Sequence, residues 1–482
     1  MNLLEKKKDA ICCCGIPLIR ETARKDRLSY RVLGVPIWSR KSYIADLITR
    51  VNDTRDFDSR RLDKEIADYF SSVSLADSSC KTDAANIAIL TTKLRDRGGG
   101  DMRMIVEMSK LLKDQYNIRL FLTDMARSAK SGGRIMGFFQ KEFSIFGIST
   151  FPSDIKKQVK VLAEQIVRHN PRVVFSFIRP TDVWGAGVLS ILKRETNIKI
   201  VYLTHAGERP NIGVSFADVL PQASITGTRL CALERKADRC ITSASVLTSG
   251  SGILDFRFTQ EERDDLRKRL GIKKDQFLTL SGGEASKFFD SPTTSEYFNT
   301  IKLFLERNEN VVHCILADFS KKQKHLIASI FAGAESRTRL RLYRRTPEYK
   351  KLFASADVFL DSFPMSGAYT MIELMGIGTP YVVKINKEEP LLSFHEYQNP
   401  GYPYMYSTAK EYMEGAEFLL KHPEARARAV NMNREHYERT FSAASCRAFL
   451  NKIISNADDF TKIIEPYNLK SSVEPQLKRD SE

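Results

Sequence analysis

Residues 356–383 read ADVFLDSFPMSGAYTMIELMGIGTPYVV. A short apolar run ends at Asp361, a loop rich in Ser, Pro and Gly follows, and the pattern predicts a helix from about Ala368. The sequence Gly378-Thr379-Pro380 then ends this helix and leads into a second apolar run. The order strand, turn, helix predicts a βα unit whose turn lies at the carboxyl end of a parallel sheet.

The turn of this unit carries groups that suit a nucleotide diphosphate. Amides at the start of a helix favour anions, and the hydroxyls of Ser366 and Thr370 stand beside them, with Gly367 between. Glu373 follows Thr370 by three residues and shares its helix face, where it can accept hydrogen bonds from a ribose diol. These four residues are predicted to bind a nucleotide.

The segment resembles the nucleotide-sugar signature of GT-B glycosyltransferases, and its Asp-Ser-Phe-Pro…Ser-Gly…Thr…Glu…Gly-Thr-Pro form is most similar to the O-GlcNAc-transferase type. The resemblance implies an α/β fold of GT-B architecture, with two Rossmann-like domains facing a cleft, an N-terminal extension and C-terminal helices. It implies that Ser366, Gly367 and Thr370 contact the diphosphate and that Glu373 holds the ribose. It also implies that Lys287, after the first strand of the second domain, neutralises phosphate charge.

Two departures from the family pattern affect the mechanism. Ala368-Tyr369-Thr370 stands where the O-GlcNAc-transferase type has His-Thr-Thr, so part of the phosphate contact is missing or comes from elsewhere. Retaining glycosyltransferases of this fold carry a second glutamate eight positions before the ribose-binding one, and here that position is Met365. This difference favours an inverting mechanism.

Alternating apolar runs and amphipathic stretches predict two sets of αβ units. We expect a basic N-terminal extension at 1–80, an acceptor domain at 81–255, a nucleotide-sugar domain at 256–440, and a C-terminal helix with a charged tail at 441–482. Within 42–80 we expect one helix, as part of the extension. Predicted strands lie at 87–90, 118–122, 173–178, 198–203, 277–280, 311–317, 339–343, 358–360 and 381–384.

A glycine run, Gly98-Gly99-Gly100, lies between the first predicted strand and the helix after it. Gly99 and Gly100 would let the backbone approach a bound phosphate, whereas a purely structural turn is the alternative. The run is neither GxGxxG nor a P-loop, so a nicotinamide enzyme or an NTPase has little support.

The first domain also offers candidates for a catalytic base. His205 ends a predicted strand, and a histidine with a near-neutral pKa suits proton abstraction from an acceptor hydroxyl. Glu208, Asp218 and Asp182 are carboxylate alternatives, and a structural histidine is the alternative without catalysis. The run from His205 to Asp218 also resembles a pattern in bacterial cell-surface glycosyltransferases.

Composition restricts the class of protein further. The 482 residues include 75 Lys+Arg against 59 Asp+Glu, a net charge of +16, and hydrophobic residues make up 42%. This excludes a mainly disordered chain, and no apolar run is long enough to predict a membrane span. Eight cysteines without paired zinc-site spacing indicate a reducing compartment, so we expect a cytoplasmic protein.

The positive charge is concentrated in two segments. Residues 1–41 hold ten Lys+Arg against four Asp+Glu, and residues 318–351 hold ten against three. The apolar runs 15–20 and 34–40 predict a small basic hairpin that either packs on the protein or lies on an anionic membrane surface. No nucleic-acid motif accompanies the charge, so nucleic acid is not an expected partner.

Together these features predict a glycosyltransferase of polysaccharide biosynthesis that uses a nucleotide sugar, most simply a UDP-sugar, as substrate. We expect no cofactor and no metal, since no set of His, Cys and carboxylates has metal-ligand spacing. The expected acceptor is a lipid-linked or surface glycan at the inner membrane face. A sugar-nucleotide epimerase of the same fold and a non-catalytic basic scaffold remain as alternatives.

Overall fold

The structure, a computed structural model, describes residues 4–7, 10–13, 16–24, 27–32, 35–53, 59–77, 82–96, 100–131, 133–150, 152–204, 211–233, 239–247, 253, 256–386, 395–397, 399 and 401–464, with backbone only for 4–41. The chain divides into two compact units. The first unit holds residues up to Val246 and those from Arg447 onward, and the second is Leu247–Cys446. No helix in the described ranges is long and apolar enough to cross a membrane.

The first unit opens with an antiparallel sheet in the order β1-β2-β3-β4-β5. The predicted two-stranded hairpin is replaced by this larger sheet, because the segment between its two runs also forms a strand. That strand, β4, pairs Val32 with Ile19 of β3 on one side and Tyr30 with Trp38 of β5 on the other. The five strands are β1 (Leu4–Lys7), β2 (Ala10–Cys13), β3 (Ile16–Arg24), β4 (Arg27–Val32) and β5 (Val35–Lys41).

Two helices follow where the sequence predicts one, α1 (Tyr43–Asp53) and α2 (Arg60–Phe70). Both bury their apolar faces in the hydrophobic core of the first unit. Phe70 lies so close to Gly187 that a Cβ on this glycine would come within 2.5 Å of the phenyl ring. The segment predicted as an extension therefore packs into the core of the first unit.

The main sheet of the first unit is parallel, in the order β10-β9-β6-β7-β8. The chain starts in the centre at β6, moves outward to β8, and returns to β9 on the other side. This is the order of a mononucleotide-binding αβ half, with a switch point between β6 and β9. The strands are β6 (Asp83–Thr91), β7 (Asn117–Leu122), β8 (Ser144–Gly147), β9 (Pro171–Phe177) and β10 (Lys199–Tyr202), and a small parallel pair follows, β11 (Leu220–Gln222) and β12 (Cys240–Thr242).

The helices of this unit connect the parallel strands. Val159, Leu162 and Ile166 form the buried stripe of the helix that leads into β9, which is the amphipathic pattern expected there. The helices are α3 (Gly100–Leu112), α4 (Met125–Ser131), α5 (Gly133–Glu142), α6 (Ile155–His169), α7 (Val183–Glu195) and α8 (Ile225–Leu233).

The second unit is a six-stranded parallel sheet in the order β15-β14-β13-β16-β17-β18. Its switch point lies between β13 and β16. Its elements are α9 (Gln260–Arg269), β13 (Phe277–Gly282), α10 (Glu296–Arg307), β14 (Val311–Leu316), α11 (Lys321–Ile330), β15 (Leu340–Tyr343), α12 (Tyr349–Ser355), β16 (Val358–Leu360), α13 (Ala368–Ile377), β17 (Tyr381–Lys384), β18 (Met405–Tyr406), α14 (Ala409–Lys421) and α15 (Pro423–Thr440).

The last helix, α16 (Ala443–Ser455), returns the chain to the first unit. Arg447 Nε donates to the carbonyl of Leu111 at 3.1 Å, and Tyr116 donates to Asn451 at 3.3 Å. The C-terminal residues predicted as a separate segment thus complete the first unit from Arg447 onward.

Candidate functional site

The switch point of the second sheet brings together two segments that are far apart in sequence. β13 ends at Gly282 and a 3₁₀ turn carries Lys287, while β16 ends at Leu360 and leads through the loop into α13. Lys287 Nζ donates to the carbonyl oxygen of Ser366 at 2.6 Å. The structure therefore places the predicted phosphate-binding lysine directly beside the loop that precedes α13.

Asp361 holds the loop before α13 in place through hydrogen bonds. Its buried carboxylate accepts hydrogen bonds from the amides of Ser362 at 2.9 Å and Gly367 at 3.0 Å and from the hydroxyl of Ser366. Burial raises the pKa of Asp361 to about 6. A Cβ on Gly367 would lie 3.2 Å from Thr370 Cβ and 3.4 Å from Asp361 Oδ1, so glycine suits this tight turn.

This arrangement separates the roles of the two predicted hydroxyl ligands. The proton of Ser366 is committed to Asp361, so this hydroxyl holds the loop. Thr370 lies in the first turn of α13 and is half-buried. The first-turn amides of a helix have no acceptor within the helix, so α13 offers donors to an anion at this point.

Glu373 lies one turn further along α13 and is 2% exposed. Its Oε1 accepts a hydrogen bond from the phenol of Tyr349, on α12, at 2.6 Å. The phenol fixes the orientation of this carboxylate, which the sequence predicts to hold a ribose. Tyr349 had no sequence signal, because it lies 24 residues away on another helix.

A buried polar network joins the strands under this loop. His313 of β14 shares hydrogen bonds with Thr279 at 2.9 Å and with Tyr297 at 3.0 Å. Ser281 contacts Tyr297 at 2.6 Å and donates to the carbonyl of Leu360. Burial lowers the pKa of His313 to about 3, so the imidazole is neutral. The network ties β13, β14 and β16 together at the switch point.

Carboxylates at the carboxyl edge of the second sheet neutralise part of the positive charge of the segment 318–351. Arg345 pairs with Glu284 at 2.7 Å and with Asp318 at 3.1 Å, and Arg344 also pairs with Asp318, at 3.4 Å. Glu284 precedes the turn that carries Lys287. These ion pairs connect the loops that follow β13, β14 and β15.

The structure describes only some of the first-unit residues that the sequence predicts for catalysis or phosphate binding. His205, Glu208 and Gly99 lie outside the described residues, and Gly100 is the first residue of α3. Asp218 accepts from Lys193 at 2.5 Å and from the amide of Ile200 at 2.9 Å, so both of its oxygens are engaged. These bonds anchor the segment after β10.

Asp182 is buried at the N-terminus of α7. It accepts from the hydroxyls of Thr92 and Thr123, each at 2.6 Å, and from the amide of Gly185 at 3.0 Å. Burial raises its pKa. Because it caps a helix and joins two strand ends, its contacts are those of a structural carboxylate.

Sequence reasoning missed Asp63 of α2, which is 1% exposed. Its carboxylate accepts from the amides of Gly213 at 2.6 Å and Ser215 at 3.0 Å. These amides belong to residues 213–218, which end the run from His205 to Asp218 described in the sequence analysis. Asp63 therefore fixes the segment that follows the predicted base.

Comparisons with known proteins identify the fold. No family model matches the chain, and no curated protein matches its sequence. A glycosyltransferase from Rickettsia africae ESF-5 is similar at 13% identity and a TM-score of 0.62, covering 78% of this chain and 99% of that one. Anabaena Alr3699/HepE in complex with UDP is similar at 14% identity and a TM-score of 0.60, covering 77% and 100%.

A Thermobaculum terrenum O-GlcNAc transferase variant is also similar, at 12% identity and a TM-score of 0.53, covering 87% of this chain and 78% of that one. A protein from Listeria monocytogenes that carries the assignment of a UDP-N-acetylglucosamine 2-epimerase reaches a TM-score of 0.50 at 12% identity, covering 80% of this chain and 100% of that one. The chain therefore has the GT-B fold of glycosyltransferases, as the sequence resemblance predicted.

In the parts of the chain that the structure describes, no group of three or more His, Cys, Asp and Glu side chains is placed to hold a metal ion. The positive charge beside α13 comes from Lys287.

Proposed function

We propose that the protein is a glycosyltransferase that moves a sugar from a UDP-sugar to an acceptor hydroxyl. The observation that carries this proposal is the contact of Lys287 with the loop before α13, with Glu373 one turn into that helix. Anabaena Alr3699/HepE, which has a similar fold, has been solved with UDP and with UDP-glucose, and this supports a uridine nucleotide as donor.

Lys287 and the start of α13 would stabilise the leaving group. When the bond between the sugar and the diphosphate breaks, negative charge accumulates on the β-phosphate. A lysine ammonium and first-turn amides offset this charge, and the Thr370 hydroxyl adds a donor. We therefore propose a metal-independent reaction in which this chain supplies the electrophilic stabilisation.

On the acceptor side we propose an inverting displacement. The acceptor oxygen forms a bond to the anomeric carbon, a base of the first unit takes the hydroxyl proton, and UDP leaves with the bonding electrons. His205 and Glu208 are the preferred bases, because the carboxylates of Asp218 and Asp182 already accept hydrogen bonds within the fold. Met365 in place of a second glutamate supports inversion.

We further propose that the acceptor is a lipid-linked or surface glycan in polysaccharide biosynthesis. The basic segment 1–41 supports association with the anionic inner face of a membrane, since clustered lysines and arginines are attracted to acidic lipid headgroups. The same charge supports a peripheral, cytoplasmic location.

Donor recognition is tested by a double cycle that changes Glu373 in the protein and the ribose diol in the nucleotide. UDP and 2′,3′-dideoxyuridine diphosphate are titrated calorimetrically into the wild type and into Glu373→Gln. If Glu373 holds the ribose diol, the wild type prefers UDP by roughly tenfold and the variant loses this preference. Equal affinity of the wild type for both nucleotides would reject this role, and no binding of either would reject the proposed function.

An epimerase is the second candidate, because one structural relative carries that assignment. An epimerase converts its substrate with no acceptor present, whereas a transferase releases UDP only when water or an acceptor takes the sugar. Incubation of the protein with UDP-N-acetylglucosamine alone, followed by sugar analysis, separates the two. A second epimer in the product would favour the epimerase.

A further inference from the structure

Four cations meet at the carboxyl edge of the first sheet, in the unit that does not carry Lys287 and α13. Lys93 lies two residues after the end of β6, and Arg95 follows it in the same loop. Arg179 lies two residues after the end of β9, and Arg127 lies in α4, which follows β7. Neighbouring parallel strands therefore deliver all four side chains to the switch point of this unit, where ligands of open α/β sheets bind.

The loops that carry these cations are fixed by hydrogen bonds. Thr92 accepts from the amide of Arg179 at 2.8 Å and donates to the buried Asp182 at 2.6 Å. The amide of Leu94 donates to Ser128 at 3.0 Å, which joins the loop of Lys93 to α4. The cluster is thus held by the fold and does not depend on exposed loop conformations.

Two of the four cations form ion pairs with carboxylates among the described residues. Arg95 pairs with Asp101 at 2.9 Å and Arg127 with Asp124 at 3.5 Å. Lys93 and Arg179 are half-buried, and neither forms an ion pair or a side-chain hydrogen bond with any residue the structure describes. Two of the four positive charges at this sheet edge therefore have no ion-pair partner among the described residues.

This arrangement costs stability in the absence of a ligand. Loss of solvent, together with repulsion from Arg179, Arg127 and Arg95, lowers the pKa of Lys93 to about 8, against an opposite effect of Asp124. Burial and the charge of Arg95 likewise lower the pKa of Arg179, against a weaker opposite effect of Asp101 and Asp182. Desolvated like charges are typical of sites whose counter-charge arrives with a ligand.

We propose that this edge binds a phosphate or pyrophosphate group, and that the group belongs to the acceptor. Two cations without ion-pair partners among the described residues match the double negative charge of a phosphate better than the single charge of a carboxylate. The guanidinium of Arg179 suits the planar recognition of phosphate oxygens, and α3, which begins at Gly100, presents its positive end to the same edge. The assignment to the acceptor rests on the proposed function, whereas the anion site itself does not.

The test measures binding of inorganic pyrophosphate by calorimetry in four proteins. The wild type is compared with Lys93→Met, Arg179→Gln and Lys160→Met. Lys160 lies on α6 of the same unit and is 43% exposed, so its replacement makes the same charge change away from the cluster. We expect affinity to fall by roughly tenfold or more in Lys93→Met and Arg179→Gln, because each loses a charge-assisted contact.

Lys160→Met should retain wild-type pyrophosphate affinity. Unchanged affinity in both Lys93→Met and Arg179→Gln would overturn the site. UDP titrated into the same proteins tests the proposed function separately, since Lys93→Met should bind UDP as the wild type does. Failure of UDP binding in every protein would reject the donor site and leave the pyrophosphate result standing.

A stability measurement excludes a purely structural role for the lysine. Ligand-free Lys93→Met should melt at a higher temperature than the wild type, because it loses repulsion and desolvation, and Lys93→Arg should keep pyrophosphate binding. A lower melting temperature of Lys93→Met would overturn the proposal. Glucose 1-phosphate and farnesyl pyrophosphate in detergent then distinguish a soluble from a lipid-linked source, and binding of inorganic pyrophosphate but neither of these would overturn the acceptor assignment.

Discussion

Tyr349 donates its phenolic proton to Glu373 across two helices of the second unit, at 2.6 Å. Glu373 is almost completely buried, so an oriented partner is needed to hold its carboxylate in place. The residue that the sequence assigns to the ribose is therefore positioned by a side chain from a different helix. This dependence can be tested without any ligand.

Tyr349→Phe should lower the free energy of unfolding by about 1–3 kcal/mol, because it leaves a buried carboxylate oxygen without its donor. Urea denaturation measures the change. Tyr404→Phe is the matched control, since Tyr404 is also buried, at 8% exposure, and its hydroxyl forms no hydrogen bond with the described residues. Equal stability of the two variants would show that the Tyr349–Glu373 bond contributes little.

Asp361 predicts a specific pH dependence. Burial raises its pKa from 3.8 to about 6, so the folded protein binds this proton more tightly than the unfolded chain. The contribution of Asp361 to stability is thus fully present below pH 4 and is lost as pH rises to about 6, by roughly 3 kcal/mol in total.

Asp361→Asn removes this titration and keeps an acceptor oxygen for the amides of Ser362 and Gly367. Unfolding measured at several pH values from 4 to 7 should show the variant gaining stability relative to the wild type as the pH rises. A difference between the two proteins that is constant over this range would contradict the raised pKa.

The two hydrogen bonds that Asp63 accepts from the amides of Gly213 and Ser215 should contribute to the stability of the fold. Asp63→Ala leaves the amides of Gly213 and Ser215 without their acceptor, at a cost of about 2–5 kcal/mol. Asp63→Asn retains one acceptor oxygen and should recover part of the loss. Asp68→Ala, an exposed position on the same helix, is the control and should change stability by less than about 0.5 kcal/mol. Chemical denaturation measures the free energy of unfolding of the three variants. Equal values for Asp63→Ala and Asp68→Ala would contradict this role of Asp63.

The packing of α2 on α7 predicts opposite effects for two glycine substitutions. Gly187→Ala places a Cβ 2.5 Å from the ring of Phe70, so we expect a loss of about 1–3 kcal/mol. Gly137→Ala, on α5 with nothing within 4 Å, should instead stabilise by about 0.5–1 kcal/mol through helix propensity. Melting temperatures of both variants measure this, and tolerance of Gly187→Ala would mean that α2 packs less tightly than described.

Much of the parallel framework could be predicted from local sequence. The apolar runs at 358–360 and 381–384 are strands with the predicted bounds. Each is a strong periodic or continuous pattern bounded by turn residues. The short strands β8, β11, β12 and β18 lack such runs, because sheet edges bury less apolar surface.

The side-chain contacts could be predicted only where topology dictates them. The approach of Lys287 to the loop before α13 follows from the switch point, since carboxyl ends of neighbouring strands meet there. Tyr349 and Asp63 act across elements distant in sequence, so their partners depend on how helices pack. Nothing in the local pattern around these residues specifies that packing.

The affinity of UDP for Lys287→Met tests the central claim most directly. The control is Lys421→Met, an exposed lysine at the end of α14 in the same unit. Calorimetry should show wild-type affinity in Lys421→Met and a loss of roughly tenfold or more in Lys287→Met, because the diphosphate loses its cationic partner. Wild-type UDP affinity in Lys287→Met would contradict the account of the donor site.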